Sequence, residues 1–165
     1  MTSALTQIEA RLRAVLPAAA FRTLEHKYLE EPRGRYAGSD GLLVAPDTTQ
    51  DVATIVRECA ASGTPIVPYS GGTGLVGGQI ASADVVPVIL ALDRMTRIRA
   101  VDAVGASMTV EAGVILKTVQ EAAEDVGKLF PLSLASEGSA RIGGLLSTHA
   151  GGVNVLRDGN ARDLC

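Results

Sequence analysis

The chain has no tryptophan, two phenylalanines and three tyrosines, so aromatics make up only 3% of its 165 residues. A core must therefore be built from Val, Ile, Leu and Ala. Cysteine is equally scarce. Neither Cys59 nor Cys165 has a CxxC partner or a Cys/His spacing, which leaves no legible metal site. Met1–Glu9 has no basic stretch leading into an apolar segment, so no secretory signal is expected. Two distant cysteines without such a signal read as reduced thiols, and the expected compartment is cytoplasmic. No charge sign dominates. Fifteen basic residues against 18 acidic ones give a net charge of −3, which removes the electrostatic case for a nucleic-acid partner. The longest apolar run, Val85–Leu92, is far short of the roughly 20 residues that span a bilayer, so no membrane span is expected.

What the sequence has in excess is glycine, 18 residues unevenly placed. Gly71, Gly72, Gly74, Gly77 and Gly78 fall in one window, and Gly143, Gly144, Gly151 and Gly152 in another. Glycine loses more backbone freedom on folding than any other residue, so such clustering needs a local reason: positive φ or a close approach.

Between these windows the chain alternates helical and extended patterns, which predicts a mixed α and β fold without internal repeats or a long linker. Leu5, Ile8, Leu12 and Val15/Leu16 predict an amphipathic helix over 3–16, ended by Pro17. Residues 31–41 read as loop and Leu42–Ala45 as a short strand closed by Pro46. Thr48 followed by Asp51 resembles a capping box, and Val52, Ile55, Val56 and Cys59 mark a buried helical stripe ending at Gly63. Cys59 on that stripe reads as a small core residue. Pro65–Pro68 predicts a strand running into the first glycine cluster, Val85–Leu92 a buried strand and Ser107–Glu111 another. Gly113 then turns the chain into a helix with Leu116, Val119, Ala123 and Val126 on one face and Gly127 at its end. Ala161–Cys165 reads as the start of a further strand.

Ser70-Gly-Gly-Thr-Gly-Leu-Val-Gly-Gly78 lets consecutive N–H groups converge on one concavity, an anion nest to which Ser70 and Thr73 can add hydroxyls. Gly72-x-Gly74-x-x-Gly77 matches the dinucleotide fingerprint GxGxxG literally. A Rossmann loop, however, opens a helix, and residues 78–84 carry no amphipathic pattern. The second cluster, Ile142–Gly152, is rich in small residues and hydroxyls, with Ser136 and Ser139 flanking it. Two such segments could clamp a long phosphate-containing ligand. His149 reads as a structural residue, a donor to phosphate or ribose, or a point of covalent attachment for a cofactor, and His26 as a solvated surface residue. Glu111 and Glu137 read as structural, and no residue is assigned a catalytic or metal-binding role.

In this order and spacing the segments resemble the FAD-binding (PCMH-type) domain of the vanillyl-alcohol oxidase superfamily. The nearest branch is the glycolate oxidase, D-lactate and D-2-hydroxyglutarate dehydrogenase group. The residues carrying the resemblance are Pro65–Pro68, Gly71–Leu75, Asp93–Met95, Val110–Gly113, Phe130–Leu132, Ile142–Gly144 and Ala150–Gly152. The resemblance runs from roughly residue 40 to the C-terminus, which leaves 1–37 as an N-terminal helix and lead-in. It implies an FAD-binding domain of two small α/β subdomains over 38–165, incomplete at its C-terminal side. Carried over by position, it implies that Gly71, Gly72, Thr73, Gly74 and Leu75 meet the diphosphate of FAD. Pro131, Ser136, Gly138 and Ser139 would lie along the cofactor, and Ile142, Gly143, Thr148, His149, Ala150 and Gly152 would complete its wall.

The same resemblance implies a lineage in which FAD takes a hydride from the α-carbon of a small 2-hydroxy acid. Relatives often carry Asn at the position of His149 and Arg-Tyr-Gly where Arg157-Asp158-Gly159 stands. They also continue into a substrate cap that brings metal ligands. On this reading the chain is a cofactor-binding fragment, inactive alone. The rival readings are a remnant that does not retain FAD and a Rossmann-type NAD module.

Overall fold

The helical spacing of Leu5, Ile8 and Leu12 produces α1, Ser3–Val15, whose apolar side is almost fully covered. A computed structural model describes residues 3–82 and 84–165. After Pro17 the chain passes through single 3₁₀ turns at Ala18–Ala20 and His26–Tyr28 and an irregular lead-in, then enters β1, Leu42–Val44. The expected cap forms at the next helix. Thr48 accepts a hydrogen bond from the Asp51 N–H at 3.1 Å and opens α2, Thr49–Ser62, which Gly63 ends in the left-handed conformation at φ 66°. β2, Ile66–Tyr69, and β3, Val88–Ala91, complete a parallel sheet in the order β1-β3-β2.

The sheet is covered on both sides, and the period of two along its strands sorts the residues. Val44, Val88 and Leu90 pack with Ile8, Leu12, Ile55 and Cys59 from the two helices. Leu43, Ile89 and Ala91 pack with Tyr28 and Tyr69. Ile8, Leu12, Leu43 and Ile55 are at most 1% exposed, and burying each such side chain contributes about 1.5–3 kcal/mol. Val56 departs from the expected stripe and is 46% exposed. The residues of α2 that reach the core are Ile55 and Cys59, with Val52 partly buried beside them.

The chain divides into two compact units, Met1–Arg94 and Met95–Cys165. The second begins with an antiparallel ribbon of β4, Ile98–Asp102, and β5, Ser107–Val110. β4 has no counterpart in the sequence reading. Its residues are mostly exposed, and a strand without a buried face lacks the hydrophobic alternation that reveals strands. The ribbon leads to α3, Leu116–Glu124, and then to α4, Ile142–Thr148. Leu116, Leu132, Ala140, Leu145 and Ala161 form this unit's core. Val126 lies beyond α3 and is 37% exposed, so it is not part of the buried face.

Ile142–Thr148, glycine-rich like the first cluster, is helical. Ala161–Leu164, taken as the start of a strand, is a 3₁₀ turn that follows the short helix α5, Val155–Asp158. Its capping box explains the difference: the Asn160 N–H donates to Asp163 Oδ2 at 2.7 Å while the Asn160 side chain accepts from the Asp163 backbone.

Candidate functional site

β2 ends at Tyr69, and the glycine loop begins one residue later, at the carboxyl end of a parallel strand. Open α/β sheets bind ligands at that edge. The loop has no regular structure from Gly71 to Gly78, and Gly72 and Gly77 take φ of +68° and +75°. The described residues directly after Gly78, 79–82, are not helical, whereas a Rossmann loop would open a helix there. Among the described residues, no backbone N–H from Gly71 to Gly78 donates to a protein acceptor. Unpaired N–H donors on a loop without side chains are a donor set that suits an anion such as a diphosphate. The Gln79 side chain fastens the middle of the loop, donating from Nε2 to the Gly74 carbonyl at 2.8 Å.

In the second unit the expected site residues fall into three places. Ser136, Gly138 and Ser139 form a turn closed by the Ser139 and Ala140 N–H groups, which donate to the Ser136 carbonyl at 2.9 and 2.7 Å. Ile142, Gly143 and Thr148 lie in α4, with His149 just past its end at φ 53°. Pro131 is brought beside the segment after α4, since Asn154 Nδ2 donates to its carbonyl at 3.1 Å. A Cβ at Gly152 would run into the Ser133 carbonyl oxygen, so this glycine is required by packing. Gly143 is similar: a Cβ there would stand 2.8 Å from that of Ala112. Ala150 pairs with the last turn, accepting from the Ala161 N–H at 2.9 Å.

The hydroxyls of this segment, though exposed, fold back onto the carbonyls of their own helix. Ser147 Oγ donates to the Gly143 carbonyl at 2.8 Å and Thr148 Oγ1 to the Gly144 carbonyl at 2.9 Å. Thr148 thus offers a ligand lone pairs rather than its proton. Arg162, which the sequence reading did not single out, satisfies the last carbonyls of α4. Its Nε and Nη2 donate to Leu146 and Ser147 at 2.6 Å each. The Arg162 N–H also donates to His149 Nδ1 at 3.4 Å. A neutral His149 accepting at Nδ1 carries its proton on Nε2, leaving that nitrogen as a donor.

Glu111 has a structural role. It is 3% exposed, and its carboxylate accepts from the Arg97 N–H and from the Arg97 and Arg99 guanidiniums at 2.9–3.3 Å. The Arg97 backbone N–H, and then the two guanidiniums, outweigh the opposing effect of burial and hold its pKa down at about 2. Glu137 accepts from Gln120 Nε2 at 3.3 Å. His26 is 83% exposed beside Glu30, and Cys59 is fully buried, where burial raises its thiol pKa. Among the described residues, no group of three His, Cys, Asp or Glu is placed to hold a metal ion, and no helix is long and apolar enough to cross a membrane.

A family model described as an FAD binding domain matches residues 41–165. Over 127 residues the chain is 39% identical to "Probable D-2-hydroxyglutarate dehydrogenase, mitochondrial" of Oryza sativa subsp. indica, covering 77% of this chain and 22% of that protein. It is 34% identical over 156 residues to the D-2-hydroxyglutarate dehydrogenase of Xanthomonas citri pv. viticola, covering 92% of this chain and 32% of that one. The chain thus spans about a quarter to a third of the length of these relatives. Among solved structures, alkyldihydroxyacetonephosphate synthase superposes with a TM-score of 0.81 at 19% identity, over 95% of this chain and 31% of that one. That likeness establishes the fold, the mixed α/β PCMH-type architecture expected from the sequence.

Proposed function

The chain belongs to the FAD-binding domain family, and from that premise we propose that it grips the diphosphate of FAD with the loop Gly71–Leu75, as part of an oxidoreductase acting on a 2-hydroxy acid. The observation that carries this reading is the set of unpaired N–H groups on that loop, presented at the carboxyl end of β2. Gly71, Gly72, Thr73, Gly74 and Leu75 supply the diphosphate contacts. From the second unit, Pro131, Ser136, Gly138, Ser139, Ile142, Gly143, Thr148, His149, Ala150 and Gly152 contribute to the cofactor's surroundings. There His149 acts as a donor through Nε2 and Thr148 as an acceptor.

FAD, when bound, supplies the capacity to accept a hydride, and the protein supplies placement. The hydroxy-acid assignment is supported by the D-2-hydroxyglutarate dehydrogenases that the chain resembles. No described residue is proposed as the base. Glu111 is held by two arginines, and His26 is exposed beside Glu30. The 165-residue chain alone is therefore expected to bind FAD without turning over substrate. Dye reduction on adding D-2-hydroxyglutarate, D-lactate or glycolate would contradict that expectation.

The test of cofactor binding is an absorbance spectrum of the purified chain after incubation with FAD and gel filtration. Retained flavin bands are the expected result. A colourless protein that remains folded by circular dichroism would overturn binding by this chain and favour a remnant that does not retain FAD.

A further inference from the structure

The stretch preceding β1 lies outside residues 41–165, the span of the family match, yet it meets the glycine loop at both ends. At the loop's start, the buried Tyr69 donates its hydroxyl to the Lys27 carbonyl at 2.9 Å, and its ring tilts against Tyr28 with centroids 4.6 Å apart. Gly72 rests on that hydroxyl so closely that a Cβ would overlap it. At the far end, Gly77 lies against the ring of Tyr36, where a Cβ would stand 2.8 Å from the ring carbons.

The lead-in is itself fastened. The Glu31 carboxylate, 2% exposed, accepts from the N–H groups of Arg33 and Arg35 at 2.8 and 2.6 Å. Gly38 N–H donates to the Leu29 carbonyl at 2.7 Å. A glycine-rich loop has much conformational freedom to lose when a ligand orders it. Holding it in its bound shape beforehand removes part of that cost.

We propose that residues 26–38 form a brace for the glycine loop, with Tyr69 and Tyr36 as positioning residues that keep its N–H groups aligned for an anionic ligand. The inference rests on the FAD reading for the identity of that ligand, the diphosphate. The two tyrosines act differently. Tyr69 works through its hydroxyl, tethered to Lys27, and Tyr36 through the face of its ring.

The variants are therefore Tyr69→Phe, Tyr36→Ala and Tyr36→Phe in the full chain, with two measurements. Backbone 15N order parameters of Gly71–Gly78, measured by NMR without ligand, report bracing. FAD affinity by fluorescence titration reports positioning. Tyr69→Phe and Tyr36→Ala are each expected to lower the order parameters of the loop and weaken FAD about tenfold, with those of α2 unchanged. Tyr36→Phe should match the wild type in both measurements.

Unchanged loop order parameters in both Tyr69→Phe and Tyr36→Ala would overturn the brace. Lower order parameters with unaltered FAD affinity would overturn the positioning role. If the wild type binds no FAD while the two variants loosen the loop, the brace stands and the cofactor reading fails.

Discussion

Gly71–Gly78 runs as an open loop after β2, whereas Gly143 and Gly144 lie in the first turn of α4. In the loop, positive φ at Gly72 and Gly77 creates a backbone that other residues adopt only at a cost, and the neighbouring N–H groups stay free for a ligand. Around α4 the glycines permit close packing: Gly143 lets the helix approach Ala112, and Gly152 lets the following segment pass Ser133. The same residue type thus serves positive φ, contact with two tyrosines and exposed donors in one unit, and packing of a helix and the segment after it in the other. Glycine clustering by itself signals a constraint on the backbone. What the constraint is for depends on what the backbone faces.

Substitutions separate these roles. Gly152→Ala should have the largest effect, because its Cβ meets a backbone carbonyl that has no rotamer to yield. We expect a loss of about 3 kcal/mol in urea unfolding. A tolerated alanine there would break the packing side of the comparison. Gly72→Ala follows, with about 2 kcal/mol from the left-handed backbone and from a Cβ that would press on the Tyr69 hydroxyl, and with weakened FAD binding as well. Stability lost without any change in affinity would remove the functional distinction between the clusters.

The third prediction concerns pH and sharpens the account of the second unit. The Glu111 pKa lies at about 2 in the folded chain, below its ordinary value of 4.5. A depressed carboxylate pKa means that the unfolded chain binds the proton more readily. The stabilisation is then complete above about pH 4.5 and is lost as pH falls toward 2. Urea midpoints of the wild type and Glu111→Gln should therefore differ most above pH 4.5 and converge in acid. A gap that does not vary with pH would show that ionisation of Glu111 contributes nothing.

Gly78→Ala should have the smallest effect. Its φ is not positive and no atom lies within 4 Å of a Cβ placed there, so stability should stay within about 0.5 kcal/mol of the wild type. A cost matching that of Gly72→Ala would mean that the loop requires glycine throughout rather than at particular positions.

Much of the first unit was legible because its elements are covered by others. α1 and α2 bury one stripe each, β3 is apolar throughout, and Thr48 and Gly63 bracket α2 with caps that depend on nearby residues alone. β4 was hidden by its exposure, and α4 by glycines that ordinarily argue against a helix. The glycine loop itself stood out in the sequence. Its brace did not, since Tyr69 and Lys27 are 42 residues apart and no spacing rule joins them.

By itself, then, the sequence determined the helical stripes, the buried strands, their caps and the glycine-rich segment that points to FAD. All of these follow from interactions between residues close along the chain, or from burial that imposes a period. Tertiary structure alone decided that the first half of the second cluster coils into a helix, that Glu111 is held by two arginines, and that two tyrosines back the loop. Those outcomes depend on which distant groups meet, and local propensity carries no record of such meetings.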